Sequence, residues 1–123
     1  MNKINYFYPT LGGPVPTSTL RVPNNHADNL RVSVNAGLIL EGMPYEYQYE
    51  IEVNGFPIVP RMTLPGFVDK TVMNNILVSM TSDFTFNDVY SNTQLNFKMK
   101  LYDQYGQEAN SSETILYLTD EGA

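Results

Sequence analysis

The sequence predicts an all-β protein, an antiparallel β-sandwich of immunoglobulin-like type with about seven strands and at most one short helix. Several segments alternate apolar and polar residues, which is the period of a strand that buries one face. Turn-forming Gly, Pro and Asn residues separate these segments, and no sustained helical pattern lies between them. With 42 % hydrophobic and 16 % charged residues, we expect residues 1–123 to fold as a single domain around one core.

The clearest alternation lies at residues 45–53 and predicts a strand whose apolar face points into the core. It leads into Asn54-Gly55, a pair that favours a type I′ hairpin turn. Pro57 and Pro60 cannot donate ladder hydrogen bonds, so the returning strand is predicted to be short and to lie at a sheet edge. The core row comprises Tyr45, Tyr47, Tyr49, Ile51 and Val53.

Weaker alternation predicts further strands at 4–8, 30–40, 94–102 and 114–119, with a polar loop over 103–112. Residues 67–81 fit both helical and strand spacing. We interpret them as a short helical or loop piece at 69–73 and a strand at 76–81. Phe84 and Phe86 either continue the apolar alternation or anchor a loop. Residues 9–28 are rich in Pro, Gly and Asn and are predicted to be irregular.

The charge balance restricts the partners. Seven basic against thirteen acidic residues give a formal charge of −6, which disfavours nucleic acid. No apolar stretch reaches the ~18 residues of a membrane span, and no export signal precedes the first predicted strand. We therefore expect a soluble protein without membrane insertion, cytoplasmic or virion-associated. The chain has no cysteine, which removes disulfides and thiolate sites.

The residue types of catalysis and metal binding are sparse. His26 is the single histidine and lies two residues before Asp28, but no nucleophile motif accompanies it, so a solvated loop residue is predicted. The segment from Asp83 to Asp88 resembles the opening of a calcium loop, yet Gly is missing at Asp88 and Glu at Gln94. No metal, cofactor or catalytic residue is expected.

An acidic row is predicted on the wet face of the strand at 45–53, formed by Glu46, Glu50 and Glu52. Paired carboxylates can hydrolyse glycosides, but a catalytic pair needs one buried carboxyl group. The row is therefore interpreted as a solvated face, and a hydrolase is the least favoured function.

The function predicted by elimination is a non-catalytic β-sandwich module that acts through protein–protein contacts, as an accessory, structural or virion-surface subunit. Its partner would be another protein, or a second copy that pairs at edge strands. Tyr102, Gln104 and Tyr105 in one loop, together with His26, form the candidate binding surface. The alternative is a carbohydrate-binding module that uses loop tyrosines.

Overall fold

A computed structural model describes residues 1–65 and 67–120. Within these ranges the chain forms eleven β-strands and two single turns of 3₁₀ helix, at Pro23–Asn25 and Pro44–Glu46. No helix in this part of the chain has the length and apolar character needed to cross a membrane. The strands are β1 (Lys3–Thr10), β2 (Thr19–Arg21), β3 (His26–Ala27), β4 (Leu30–Leu40), β5 (Gln48–Val53), β6 (Phe56–Thr63), β7 (Phe67–Val72), β8 (Asn75–Phe86), β9 (Val89–Tyr90), β10 (Thr93–Tyr102) and β11 (Glu108–Thr119).

The strand order is that of an immunoglobulin-like sandwich. One sheet has the order β1-β4-β8-β7, the other has the order β2-β11-β10-β5-β6, and β3 pairs with β9. If β1, β4, β5, β7, β8, β10 and β11 are lettered A to G, the sheets contain A-B-E-D and C-F-G. All pairings are antiparallel except that of β2 with β11. The predicted fold class is confirmed.

The core lies between the two sheets, where the inward rows of β4 and β8 face those of β5 and β10. Phe97 of β10 is 0 % exposed, and its ring centroid lies 6.2 Å from that of Phe84 and 6.1 Å from that of Phe86 on the opposite sheet. These contacts join the layers by aromatic packing.

The predicted strands at 4–8, 30–40 and 94–102 are confirmed as β1, β4 and β10. The predicted loop at 103–112 is too long, because β11 already begins at Glu108. The first half of β11, Glu108–Glu113, is polar and lacks alternation, but it pairs with β10 as far as Tyr102. Pairing with β10, rather than the local sequence pattern, therefore determines where β11 begins.

The helical or loop interpretation of residues 69–73 is wrong. These residues belong to β7 and to a two-residue turn, Met73-Asn74, with φ of 52° and 65°. β7 is exposed along its whole length, so neither face requires apolar residues and no alternation marks it. Methionine is also an unusual residue for a positive φ, which hides the hairpin from a search for turn residues.

Tyr45 does not belong to the core row. Pro44 begins a 3₁₀ turn that ends at Glu46, so the alternation starts only after Tyr45, which is 70 % exposed. The rest of the row is buried as predicted, with Tyr47 at 0 % exposure. The Asn54-Gly55 turn is also present, and β6 lies at the sheet edge. β6 is longer than predicted because bulges in its pairing with β5 accommodate it.

The segment 9–28 is less irregular than predicted. β1 extends through Pro9 to Thr10, and β2 adds a short parallel strand beside β11. β3 pairs with β9 through His26 and Tyr90. Such short strands take their register from a neighbour, so their own sequence carries little signal.

Tyr47→Ala is expected to lower the free energy of unfolding by about 3–5 kcal/mol, because it removes a fully buried ring. Tyr45→Ala is the matched control, two positions away and exposed, and should cost no more than about 0.5 kcal/mol. Urea denaturation of both variants measures the difference. Equal stabilities would contradict the burial of the Tyr47 ring.

Candidate functional site

The four residues of the predicted binding surface lie at opposite ends of the sandwich. Tyr102, Gln104 and Tyr105 lie at the end where β10 leads into β11. His26 pairs with Tyr90, just before β10 begins at Thr93. At ~3.3 Å per residue, the length of β10 separates the two groups by roughly 30 Å. A surface that includes Tyr105 therefore does not include His26.

The loop between β10 and β11 is organised by Asp103. The backbone N–H of Asp103 donates to the carbonyl of Gln107 at 2.8 Å, and its own carbonyl accepts from the Gly106 N–H at 3.0 Å. Its side-chain Oδ1 accepts from the N–H groups of Tyr105 (2.9 Å) and Gln107 (3.0 Å). Gly106 supplies the positive φ of 78° that closes the loop. Tyr105 is thus presented at 87 % exposure on an ordered loop.

The turn that carries Tyr45 is held in place by hydrogen bonds of the buried residue Tyr47. The Tyr47 hydroxyl donates to Asn2 Oδ1 at 2.7 Å and accepts from the Gly42 N–H at 2.9 Å. Its backbone N–H donates to the Pro44 carbonyl at 3.0 Å. Burial raises the pKa of the Tyr47 phenol above its usual value, although the hydrogen bond from Gly42 opposes the shift. The buried ring therefore fixes both ends of the exposed turn.

The two loops meet at this end of the sandwich. Gln104 Nε2 lies 3.4 Å from Glu46 Oε2, and the absence of a side chain at Gly42 leaves room for both groups. We call the exposed side chains around this contact the loop-end surface. Its members are Met43, Tyr45, Glu46, Gln104 and Tyr105.

The sequence identified two of the five members of this surface. Gln104 and Tyr105 were predicted because they lie in a polar loop, whereas Tyr45 was assigned to the core. The signal that was available is Pro44, which favours the first position of a helical turn and so interrupts the strand.

Tyr102 lies beside the loop-end surface and is held in a network. Its ring is covered by the guanidinium of Arg61, with Cζ 3.8 Å from the ring centroid, and its hydroxyl donates to Glu50 Oε1. Arg61 also donates to Gln48 Oε1 at 2.8 Å and to the Gly106 carbonyl at 2.9 Å. The hydrogen bond to Glu50 raises the pKa of Tyr102, because it stabilises the neutral phenol.

The predicted row of Glu46, Glu50 and Glu52 does not form a solvated acidic face. Glu46 lies in the 3₁₀ turn, outside the strand. Glu50 and Glu52 have side chains only 18 % and 22 % exposed, and Lys100 Nζ lies 3.6 Å and 3.1 Å from their carboxylates. The bond to Glu52 contributes most to raising the pKa of Lys100. The two carboxylates therefore form part of an ion-paired surface on β5 and β10.

His26 faces two carboxylates. Its Nε2 lies 3.1 Å from Asp88 Oδ1 and 3.8 Å from Asp28 Oδ1, and Asp28 Oδ1 also accepts from the Asp88 N–H at 2.9 Å. One ligand atom of each of these three residues lies within 4.8 Å of the others, so the cluster could hold a metal ion. All three residues are exposed.

Asp83 and Thr85 lie within β8 rather than in a loop with Asp88. Asp83 accepts a hydrogen bond from the Ser33 hydroxyl on the outer face of the first sheet. A shallow cleft of about 310 Å³ opens there under the segment Gly12–Pro14. Its polar lining consists of Thr10, Ser33, Asn35, Thr81 and Asp83.

Comparison with known proteins assigns no family. No family model matches the chain, and no curated protein matches it. Among solved structures, the chain is similar to the CARDB domain of a Pyrococcus furiosus protein, determined in solution by NMR. The two share 9 % identity with a TM-score of 0.47 over 94 % of this chain and 95 % of that domain. At this level of likeness, no function is transferred.

Glu50→Gln should bring the pKa of Tyr102 back toward its usual value, because the neutral amide no longer favours the protonated phenol. Since folding raises this pKa above its usual value of 10.0, the stabilisation is fully present below that pH and is lost as the pH rises through the folded pKa. Ultraviolet titration of phenolate absorbance measures the shift, and Tyr102→Phe identifies which component belongs to Tyr102. A wild-type Tyr102 that titrates no higher than in Glu50→Gln would contradict the network.

Zinc or calcium at millimolar concentration is expected to leave the melting temperature nearly unchanged. Structural zinc sites are closed and four-coordinate, whereas the cluster at His26 offers three exposed ligands. Differential scanning calorimetry provides the measurement. A rise of several degrees that His26→Ala abolishes would show a metal site instead.

Proposed function

We propose that the protein is a non-catalytic immunoglobulin-like module that binds another protein through its loop-end surface. The observation that carries the proposal is the pair Tyr45 and Tyr105, which are 70 % and 87 % exposed on two loops that meet. Monomeric proteins rarely present large apolar side chains together unless these are used for binding.

The chemistry of these loops favours protein recognition. Tyrosine offers a large amphipathic contact area and loses little conformational entropy when it binds. Both rings stand on loops fixed by hydrogen bonds, so the cost of ordering the loops is already met in the free protein. By analogy of fold, these are the B–C and F–G loops, which antibody variable domains use for binding.

Charge gives a further constraint on the partner. The chain carries a net charge of −6, and Glu46 contributes a carboxylate to the loop-end surface itself. A partner with a neutral or basic contact surface is therefore favoured. The setting that we propose is that of an accessory or structural subunit, cytoplasmic or virion-associated.

Carbohydrate binding is the second candidate. Exposed tyrosine rings can stack on sugars, and Glu46 and Gln104 supply hydrogen-bonding groups between them. The five best-defined clefts among the described residues are lined by other side chains, whereas small-ligand sites are usually concave. Protein binding is therefore preferred.

The double variant Tyr45→Ala/Tyr105→Ala should lose the protein partner while keeping wild-type stability, because neither ring is buried. Affinity capture with quantitative mass spectrometry compares it with wild type. Tyr117→Ala is the matched control, since Tyr117 is 49 % exposed at the far end of β11. We expect some proteins to be captured by both wild type and the control but not by the double variant.

A glycan array with the same three proteins separates the two candidates. Saccharide binding that disappears only in the double variant would favour the carbohydrate-binding function. If every captured protein is retained by the double variant, the loop-end surface is not the binding site.

A further inference from the structure

Within residues 1–65 and 67–120, four strands end the two large sheets, and β7 is the edge left open. β1 packs beside β11, where the Ile4 N–H donates to Asn110 Oδ1 at 2.9 Å. β2 has three residues, and β6 contains Pro57 and Pro60. Short strands and prolines are the usual protection of sheet edges. β7 has six residues and no proline, and all six are exposed.

Three of the six exposed residues of β7 are apolar. Phe67 is 80 % exposed, Val68 is 44 % exposed and Val72 is 38 % exposed. Met73, in the turn that follows, is 88 % exposed. A strand with unpaired backbone groups and an apolar surface is a template for pairing with another strand.

The two charges of β7 determine which strand fits. Edge strands are often protected by a charge that repels a second copy. Here Asp69 and Lys70 are adjacent and opposite in sign. When two copies of β7 run antiparallel about a two-fold axis between these residues, Asp69 of each copy lies opposite the partner's Lys70. The same register places Phe67 opposite the partner's Val72 and Val68 opposite the partner's Thr71.

We propose that β7 pairs antiparallel with β7 of a second copy of this chain, which forms a dimer with one continuous eight-stranded sheet. Each residue pair in this register is favourable, either as opposite charges or as apolar and β-branched neighbours.

The irregularity of β7 does not disturb this pairing. A bulge between Val68 and Lys70 inserts Asp69 into the strand, and the Ser79 hydroxyl donates to its carboxylate. Under two-fold symmetry the two bulges face each other, so neither strand shifts relative to the other. The contact is isologous, so both copies use the same edge. Since no open β7 edge remains in the dimer, association stops there.

Sedimentation equilibrium and light scattering on the full chain test the proposal. Wild type should show a monomer–dimer equilibrium. Asp69→Lys and Lys70→Asp each place like charges opposite each other twice per dimer, and each should raise the dissociation constant about tenfold or more. Glu108→Lys is the matched control, because it changes the net charge by the same amount as Asp69→Lys. Glu108 is an exposed residue of the other sheet, far from the proposed contact.

Two further combinations of these substitutions test whether β7 pairs with β7 of a second copy. The double variant Asp69→Lys/Lys70→Asp restores opposite charges and should dimerise again. A mixture of the two single variants should form a heterodimer, because one then carries two positive and the other two negative charges at the centre. Circular dichroism establishes that each variant is folded.

Three results would overturn the proposal. These are a wild type that stays monomeric at millimolar concentration, a dimer that both single variants retain, and a mixture of the single variants that does not associate. Tyr45→Ala/Tyr105→Ala should dimerise as wild type does, so failure of the dimer is distinguishable from failure of the loop-end surface.

Discussion

Every other feature of this fold depends on the packing of one sheet against the other. Phe97 is at its centre, with no exposure to solvent and aromatic contacts to Phe84 and Phe86. These rings belong to β10 and β8, the third strand of each large sheet, so their contact joins the layers. Each strand that joins a sheet must then present its apolar side chains to this layer. Polar side chains are left for the outer faces and the loops.

Burial also determines where the loop-end surface lies. Tyr47 fills the core, yet its hydroxyl reaches Gly42 and Asn2 and holds the turn above it. On the neighbouring loop, Arg61 extends from an edge strand to the Gly106 carbonyl while it covers Tyr102. The exposed tyrosines are thus supported by residues whose own roles are structural. Tyr102 belongs with the supporting residues rather than with the contact surface.

The sequence predicted those strands that are covered on one face and solvated on the other. β10 is the clearest case, since its inward row is buried while the residues between are only partly covered, so the alternation is clean. β7 is wet on both faces, and the first half of β11 is held by its partner, so neither carries a periodic signal of its own.

The candidate site could be predicted only where its residues are neighbours in the chain. Gln104 and Tyr105 share one loop, so the sequence alone could group them. Tyr45 lies in another loop, which meets theirs through the contact of Gln104 with Glu46 across 58 positions of sequence. His26 was grouped with them by residue type alone, and the length of β10 separates it from them. Composition indicates which residues can bind, but the fold decides which of them meet.

The two proposed surfaces are geometrically compatible. β7 ends at Val72, opposite Asn75, and β4 ends at Leu40, opposite Ile76, so the loop-end surface lies at the carboxyl end of β7. In an antiparallel pair of β7 strands, the carboxyl ends point in opposite directions. The dimer would therefore present its loop-end surfaces at opposite ends of the continuous sheet. Such an arrangement connects two partner molecules, whereas two sites that faced the same way would engage one partner twice. Dimerisation through β7 would thus turn a binding module into a bridge between two partners.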